Sequence, residues 1–78
     1  MKIVEYIGPE NSQNVIYGTP FLVVGFCDGE WELAKTTWYD VKENHQAIHD
    51  LHDNLMVDIC VHPEVFDKYF LLSTMIEE

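Results

Sequence analysis

Three histidines, His45, His49 and His52, stand at i, i+4 and i+7. On a helix that spacing gives them a common face. Cys60 and His62 are two residues apart, which on a strand also gives them a common face. Imidazole and thiolate are ligands for zinc and other transition metals, so these five residues are the candidates for a metal site. The spacing is not that of an H-E-x-x-H helix. The competing reading is of helix histidines at the border of an apolar stripe. No metal site is assigned and no cofactor is expected.

Acid–base chemistry has weaker support. Asp50, Asp53 and Asp58 with His49 supply carboxylates and an imidazole. The chain has no Gly-rich phosphate loop and no nucleophile elbow, and its two serines, Ser12 and Ser73, have no motif around them. A domain of this size also has little room for a deep pocket. The expectation is a protein that is not an enzyme.

Charge sets the tone of the whole chain. Fourteen Asp and Glu face four Lys in 78 residues, a formal net charge of −10, and there is no arginine. Arginine is the bidentate reader of phosphates and bases, and phosphate-backbone affinity needs a basic surface. Nucleic acid is therefore excluded as a partner, and an anionic membrane surface is disfavoured. A basic surface on another protein is favoured by charge steering.

Trp38 and Tyr39 lie beyond the regular alternation of the preceding strand, with Asp40 and Glu43 beside them. They read as an aromatic patch with an acidic rim, since aromatics are common at interface hot spots. Asp50, Asp53 and Asp58 extend the rim. In its broadest form the acidic side also includes Asp28, Glu30, Glu32, Glu64 and Asp67. Such a surface imitates a nucleic-acid backbone and fits a basic groove on an enzyme, as an inhibitor encoded by a phage would.

These residues need a scaffold, and the stretch Phe21 to Thr37 organises it. F-L-V-V-G-F-C, then D-G, then E-W-E-L-A-K-T is a β-hairpin pattern, with Asp28-Gly29 as a two-residue turn. The first strand is apolar without alternation, which suits coverage on both faces. In the second, Trp31, Leu33 and Lys35 face one way, and Glu32, Ala34 and Thr36 face a more solvated side. Gly25 suggests a bulge. Trp31 is expected in the core.

Around the hairpin, Met1–Ile7 reads as a strand, Pro9–Asn14 as a loop or turn, and Val15–Tyr17 as a short strand or an extended approach. Trp38–Val41 either extends the second hairpin strand or begins a new one. A helix is predicted over roughly Glu43 to Asn54, with Asn44 as N-cap, Ala47, Ile48, Leu51 and Leu55 as its apolar stripe, and Asn54 in a left-handed end. Leu55–Val61 alternates as a strand. Pro63–Phe70 follows as a short helix with Val65, Phe66, Tyr69 and Phe70 inward, then a closing strand or extended tail.

The fold class is α+β: a single small acidic domain over 1–78, built on a small curled antiparallel sheet, or a partly open barrel, with one inserted short helix and a short C-terminal helix. Apolar residues are 47% of the chain, enough for a packed core. There is no run of eighteen apolar residues, and the first residues do not form a signal peptide. Cys27 and Cys60 are expected as free, buried thiols rather than as a disulfide, in a cytoplasmic protein. A monomer or small homo-oligomer is expected.

Two anchors carry a family likeness: Gly29-Glu30-Trp31-Glu32-Leu33, and His62-Pro63-Glu64-Val65-Phe66. The chain resembles short SH3-like barrel proteins of Gram-positive bacteria and their phages. Those have a G-x-x-Y/F-x-V strand, loosely matched by Gly18, Phe21 and Val23, then G-W-Y-x-I/V, then a Y-P-P-E-x-F closure. The likeness covers about half of the chain and implies turn and packing roles for the matching residues, with no catalytic residue. The hairpin that leads into the closure in that family is replaced here by roughly Trp38 to Asn54, and His62 stands where the first proline would be. An insertion of that length would be a binding element grafted on a small barrel.

Three readings of function follow. An interaction module for a basic protein surface requires a contiguous acidic face with Trp38 or Tyr39 exposed. A structural or accessory domain, whose acidity serves only solubility, requires scattered charge and buried aromatics. A metal-binding protein requires His45, His49 and His52 to converge with Cys60 or His62.

Overall fold

The computed structural model describes residues 1–10 and 15–77. Among them five strands and three helices follow in the order β1 (Lys2–Tyr6), β2 (Pro20–Cys27), β3 (Glu30–Lys35), α1 (Trp38–Glu43), α2 (His45–Asp53), β4 (Ile59–Val61), α3 (Pro63–Tyr69) and β5 (Phe70–Met75). All the strands are paired antiparallel in one sheet of order β4-β3-β2-β1-β5. The sheet is not closed: β4 and β5 are its edges.

The β2–β3 hairpin forms as its residues dictate. Asp28 has φ 54° and Gly29 φ 81°, the two positive values a type I′ turn needs. The pairing register shifts between Val23 and Gly25, a bulge at the glycine. A second glycine serves close approach: a Cβ on Gly8 would lie 2.7 Å from the Tyr69 ring and 2.8 Å from the Tyr6 hydroxyl. That contact lets the chain leaving β1 run against the end of α3, where Ile7 N–H donates to Tyr69 O at 2.7 Å.

Both faces of the sheet are covered, as the unbroken apolar run of β2 implies. On one face Ile3, Leu22, Ala34 and Ile76 pack with Val41 of α1 and Ile48 of α2. On the other, Val4, Tyr6, Phe21, Leu33 and Phe70 pack with Val15 and with Phe66 and Tyr69 of α3. A row of rings crosses this second face. Trp31 lies edge-on to Phe26 at 4.8 Å and stacks on Phe66 at 5.1 Å, which stacks on Phe70 at 5.7 Å.

Several expectations are corrected. The supposedly solvated face of β3 is sealed: Ala34 is fully buried and Thr36 is 6% exposed, because α1 and α2 lie over it. Trp38–Val41 is neither a strand extension nor a new strand but helix α1. Thr37 is its N-cap and its Oγ1 accepts the Asp40 N–H at 3.1 Å. Val15–Tyr17 forms no strand; Thr19 N–H closes a turn on Ile16 O at 3.0 Å. The expected loop over Pro9–Asn14 falls partly on residues 11–14, outside the described residues.

Helix α2 begins after Asn44, whose side chain makes no cap bond and instead donates to Asp40 Oδ1 at 3.4 Å. Asn54 has φ −91°, and the left-handed residue is Leu55, at φ 50°. Leu55 N–H bonds His52 O and Met56 N–H bonds Leu51 O, the paired bonds of a Schellman ending. That turn throws Leu55 outward, so it leaves the apolar stripe and is 70% exposed. The Leu55–Val61 strand accordingly shrinks to Ile59–Val61. Val65 is also exposed rather than inward. The chain after α3 is a strand, β5, paired with β1.

Candidate functional site

The loop between β3 and β4 carries α1 and α2, and it builds an open cavity of about 540 Å³ against the end of β3. Lys35, Thr36 and Thr37 form one wall, Asp40 of α1 and Ala47, Asp50 and Leu51 of α2 form another, and Asp58 stands at the mouth of β4. Three of the carboxylates anticipated from sequence, Asp40, Asp50 and Asp58, thus meet on one groove.

Each of the three is held by one oxygen. Asp40 Oδ1 accepts from Asn44 Nδ2 at 3.4 Å, Asp50 Oδ1 accepts from Gln46 Nε2 at 3.0 Å, and Asp58 Oδ2 accepts the Lys35 N–H at 2.7 Å. The second oxygen of each has no protein donor among the described residues. None has a basic side chain within 4 Å; the one carboxylate–imidazole contact of that kind among the described residues joins His52 Nδ1 to Asp53 at 3.5 Å. Lys35 lines the groove but makes no ion pair there. Thr36 adds a further unsatisfied group, since its Oγ1 is buried without a hydrogen-bond partner.

The other anticipated residues fall elsewhere. Trp38 is half-buried, packs on the core beneath α1 and α2, and donates from Nε1 to Gly18 O at 2.8 Å. Tyr39 is 67% exposed. Glu43 and Asp53 are exposed on the helices outside the groove lining. The broad ten-residue acidic side does not exist as one surface. Glu64 and Asp67 sit on α3, on the opposite layer from α1 and α2, and Asp28 and Glu30 sit at the hairpin tip.

The metal candidates do not converge. His45 turns back to Val41 O at 2.8 Å, and His62 caps α3 by accepting the Glu64 N–H at its Nδ1. Among the described residues no three His, Cys, Asp or Glu are grouped to hold a metal ion. Cys27 and Cys60 are free, but exposed rather than buried: Cys27 ends β2 at the hairpin tip and Cys60 lies on the edge strand β4. Asp28 and then partial desolvation and Glu32 push the Cys27 thiol pKa up.

Sequence reasoning missed Lys35, Thr36 and Thr37 as groove residues. One signal was available: Thr37-x-x-Asp40 is a capping-box spacing, and a helix starting there turns Asp40 toward α2. No helix among the described residues is long and apolar enough to cross a membrane. No protein-family model matches the chain, and no curated protein or solved structure matches it either.

Proposed function

We propose that this chain is an acidic protein-interaction module that occupies a basic surface of another protein. The observation that supports it most is the convergence of Asp40, Asp50 and Asp58 on an open groove without a basic partner. Unpaired carboxylates held in place attract a cationic surface and discriminate against an anionic one. Exposed Tyr39, with Glu43 and Asp53 on the same pair of helices, enlarges the contact surface around the groove. A module of this kind acts as an inhibitor when the basic surface it covers is a host protein's substrate groove; a phage origin rests on the SH3-like resemblance alone. Exposed, unbridged Cys27 and Cys60 fit a reducing compartment such as the cytoplasm.

A second reading has its own observation. Glu64, Asp67, Asp28 and Glu30 lie away from the groove, and for them solubility is sufficient explanation. The test separates the two sets. A partner captured from host extract should release progressively between roughly 50 and 500 mM salt, as screened charges do. Asp50→Asn with Asp53→Asn and Asp58→Asn should weaken it, while Glu64→Gln with Asp67→Asn should not. Salt-independent capture, or equal losses from both sets, rules the module reading out.

A further inference from the structure

We infer that β5 is a dimerisation edge: it pairs antiparallel with β5 of a second copy about a two-fold axis and joins the two five-stranded sheets into one. The pairing does not depend on the groove reading. The two edges of the sheet are built differently. β4 is three residues long, preceded by Asp58, whose carboxylate takes the Lys35 N–H, and followed by His62-Pro63. Short length, a charge and a proline are common guards of a sheet edge. β5 runs over Phe70–Met75 without a charged residue or a proline, and Leu71, Leu72 and Met75 are each more than half exposed. Its one guard is a bulge at Ser73, opposite the step from Ile3 to Val4.

The backbone identifies what this edge lacks. Met1 and Ile76 exchange both N–H···O bonds, at 2.7 and 2.8 Å, so the neighbouring Met75 turns its N–H and C=O away from β1. At the other end Tyr69 O accepts the Ile7 N–H, and the same alternation turns Leu72 outward. Leu72 lies opposite Val4 and Met75 opposite Lys2, so both side chains are on the sheet face that carries Phe70. A strand is the guest such an edge selects, because it meets the outward backbone groups and the exposed side chains together.

Charge selects a second copy as that strand. Two copies of a chain with net charge −10 repel wherever their acids meet, and β5 brings no acid to the contact. Run antiparallel, Leu72 and Met75 of one copy meet Met75 and Leu72 of the other. The ends then complement each other: exposed Lys68, two residues before β5, comes toward exposed Glu77, two residues beyond it, once on each side of the axis. A parallel alignment sets like charges together and does not close. β1 and β2 separate β5 from β3, so the dimer leaves both acidic grooves open.

The experiment is sedimentation of the full chain from about 10 µM to about 1 mM, with amide hydrogen exchange at both ends of that range. Six residues a side fall well short of the roughly 20–30 of a standard interface, so a Kd of about 100 µM is expected. The Leu72 and Met75 amides should then exchange about fivefold more slowly at the high concentration. Leu72→Lys should weaken the dimer at least about tenfold, although it lowers the net negative charge, while the thermal midpoint of the dilute monomer holds. Leu55→Lys, also exposed but away from the edge, should leave the dimer intact. Raising salt from about 20 to about 300 mM should tighten the dimer by screening repulsion. That is the opposite sign to release of a basic partner from the groove, so the two readings fail separately. A chain that stays monomeric throughout overturns the proposal, even if its edge accepts an unrelated strand peptide. So does a dimer that Leu72→Lys leaves intact, a dimer whose Leu72 and Met75 amides gain no protection, or association that continues past two copies.

Discussion

The carboxylate of Asp58 accepts the backbone N–H of Lys35 at 2.7 Å, twenty-three residues back along the chain. Asp58 N–H in turn donates to Leu33 O at 2.9 Å. The side chain thus stands in for the strand that β4 lacks at this level, and it holds the end of β3 against the returning chain. Asp58→Ala should destabilise the fold by about 1.5 kcal/mol, the lower end for a bond to a charged acceptor because the site is exposed. Asp58→Asn, which keeps an acceptor, should lose less. Urea midpoints of the two variants check the order; an Asn variant weaker than the Ala variant would contradict it.

Ile48 ties helix α2 to the sheet. It is fully buried between α2 and the Ile3–Leu22–Ala34 face. Ile48→Ala removes three carbons from a site with little room to collapse and should cost about 2–5 kcal/mol. A domain of 78 residues has about 4–12 kcal/mol in hand, so this variant should melt roughly 10 °C or more below the wild type by circular dichroism. Retention of wild-type stability would mean that α2 is not part of the core.

Leu55 holds a left-handed conformation at φ 50° while 70% exposed. A leucine there carries backbone strain and gains little burial in return. Leu55→Gly should raise stability by about 0.5–1 kcal/mol despite the greater freedom of glycine in the unfolded chain. The readout is the thermal midpoint. A fall of several degrees would show that the exposed side chain has packing that the backbone strain conceals.

Cys27 has a raised thiol pKa, with Asp28 as the largest cause. A raised pKa leaves a smaller thiolate fraction at any pH below it, and the thiolate is the reactive form. Asp28→Asn removes that charge while keeping a residue suited to a type I′ turn. Iodoacetamide labelling of Cys27 near pH 8, followed by mass spectrometry, should be faster in the variant. An unchanged rate would mean that access, not charge, limits the thiol.

What could be read in advance follows from how local each signal is. The Asp28-Gly29 turn, the bulge at Gly25 and the helix opened by Pro63 rest on backbone requirements of single residues, and all three are present. The six-residue α1 was missed because Trp38–Glu43 is too short for periodicity to register; only the cap at Thr37 announces it. Leu55–Val57 alternates like a strand, yet the pairing of β4 with β3 ends at Leu33–Ile59, and the Asp58 side chain takes the Lys35 N–H beyond it. Of the groove, the acids were legible as charge. Their meeting depends on the angle at Asn44, φ −136° and ψ 68°, between α1 and α2, and no pattern in the sequence encodes that bend. Thr36 escaped because its burial is set by helices that come later in the chain.

β1 lies between β2 and β5, and Met1 N is bonded to Ile76 O at 2.7 Å. During synthesis the first strand therefore waits for the last before its outer edge is satisfied. Until residues 70–76 leave the ribosome, Ile3 and Val4 have lost one flank of their packing, and the nascent chain presents an unprotected edge to chaperones and to its neighbours. In a chain circularly permuted at the Asp28-Gly29 tip the β1–β5 pairing would become local, and the β2–β3 pairing would take its place as the longest in range.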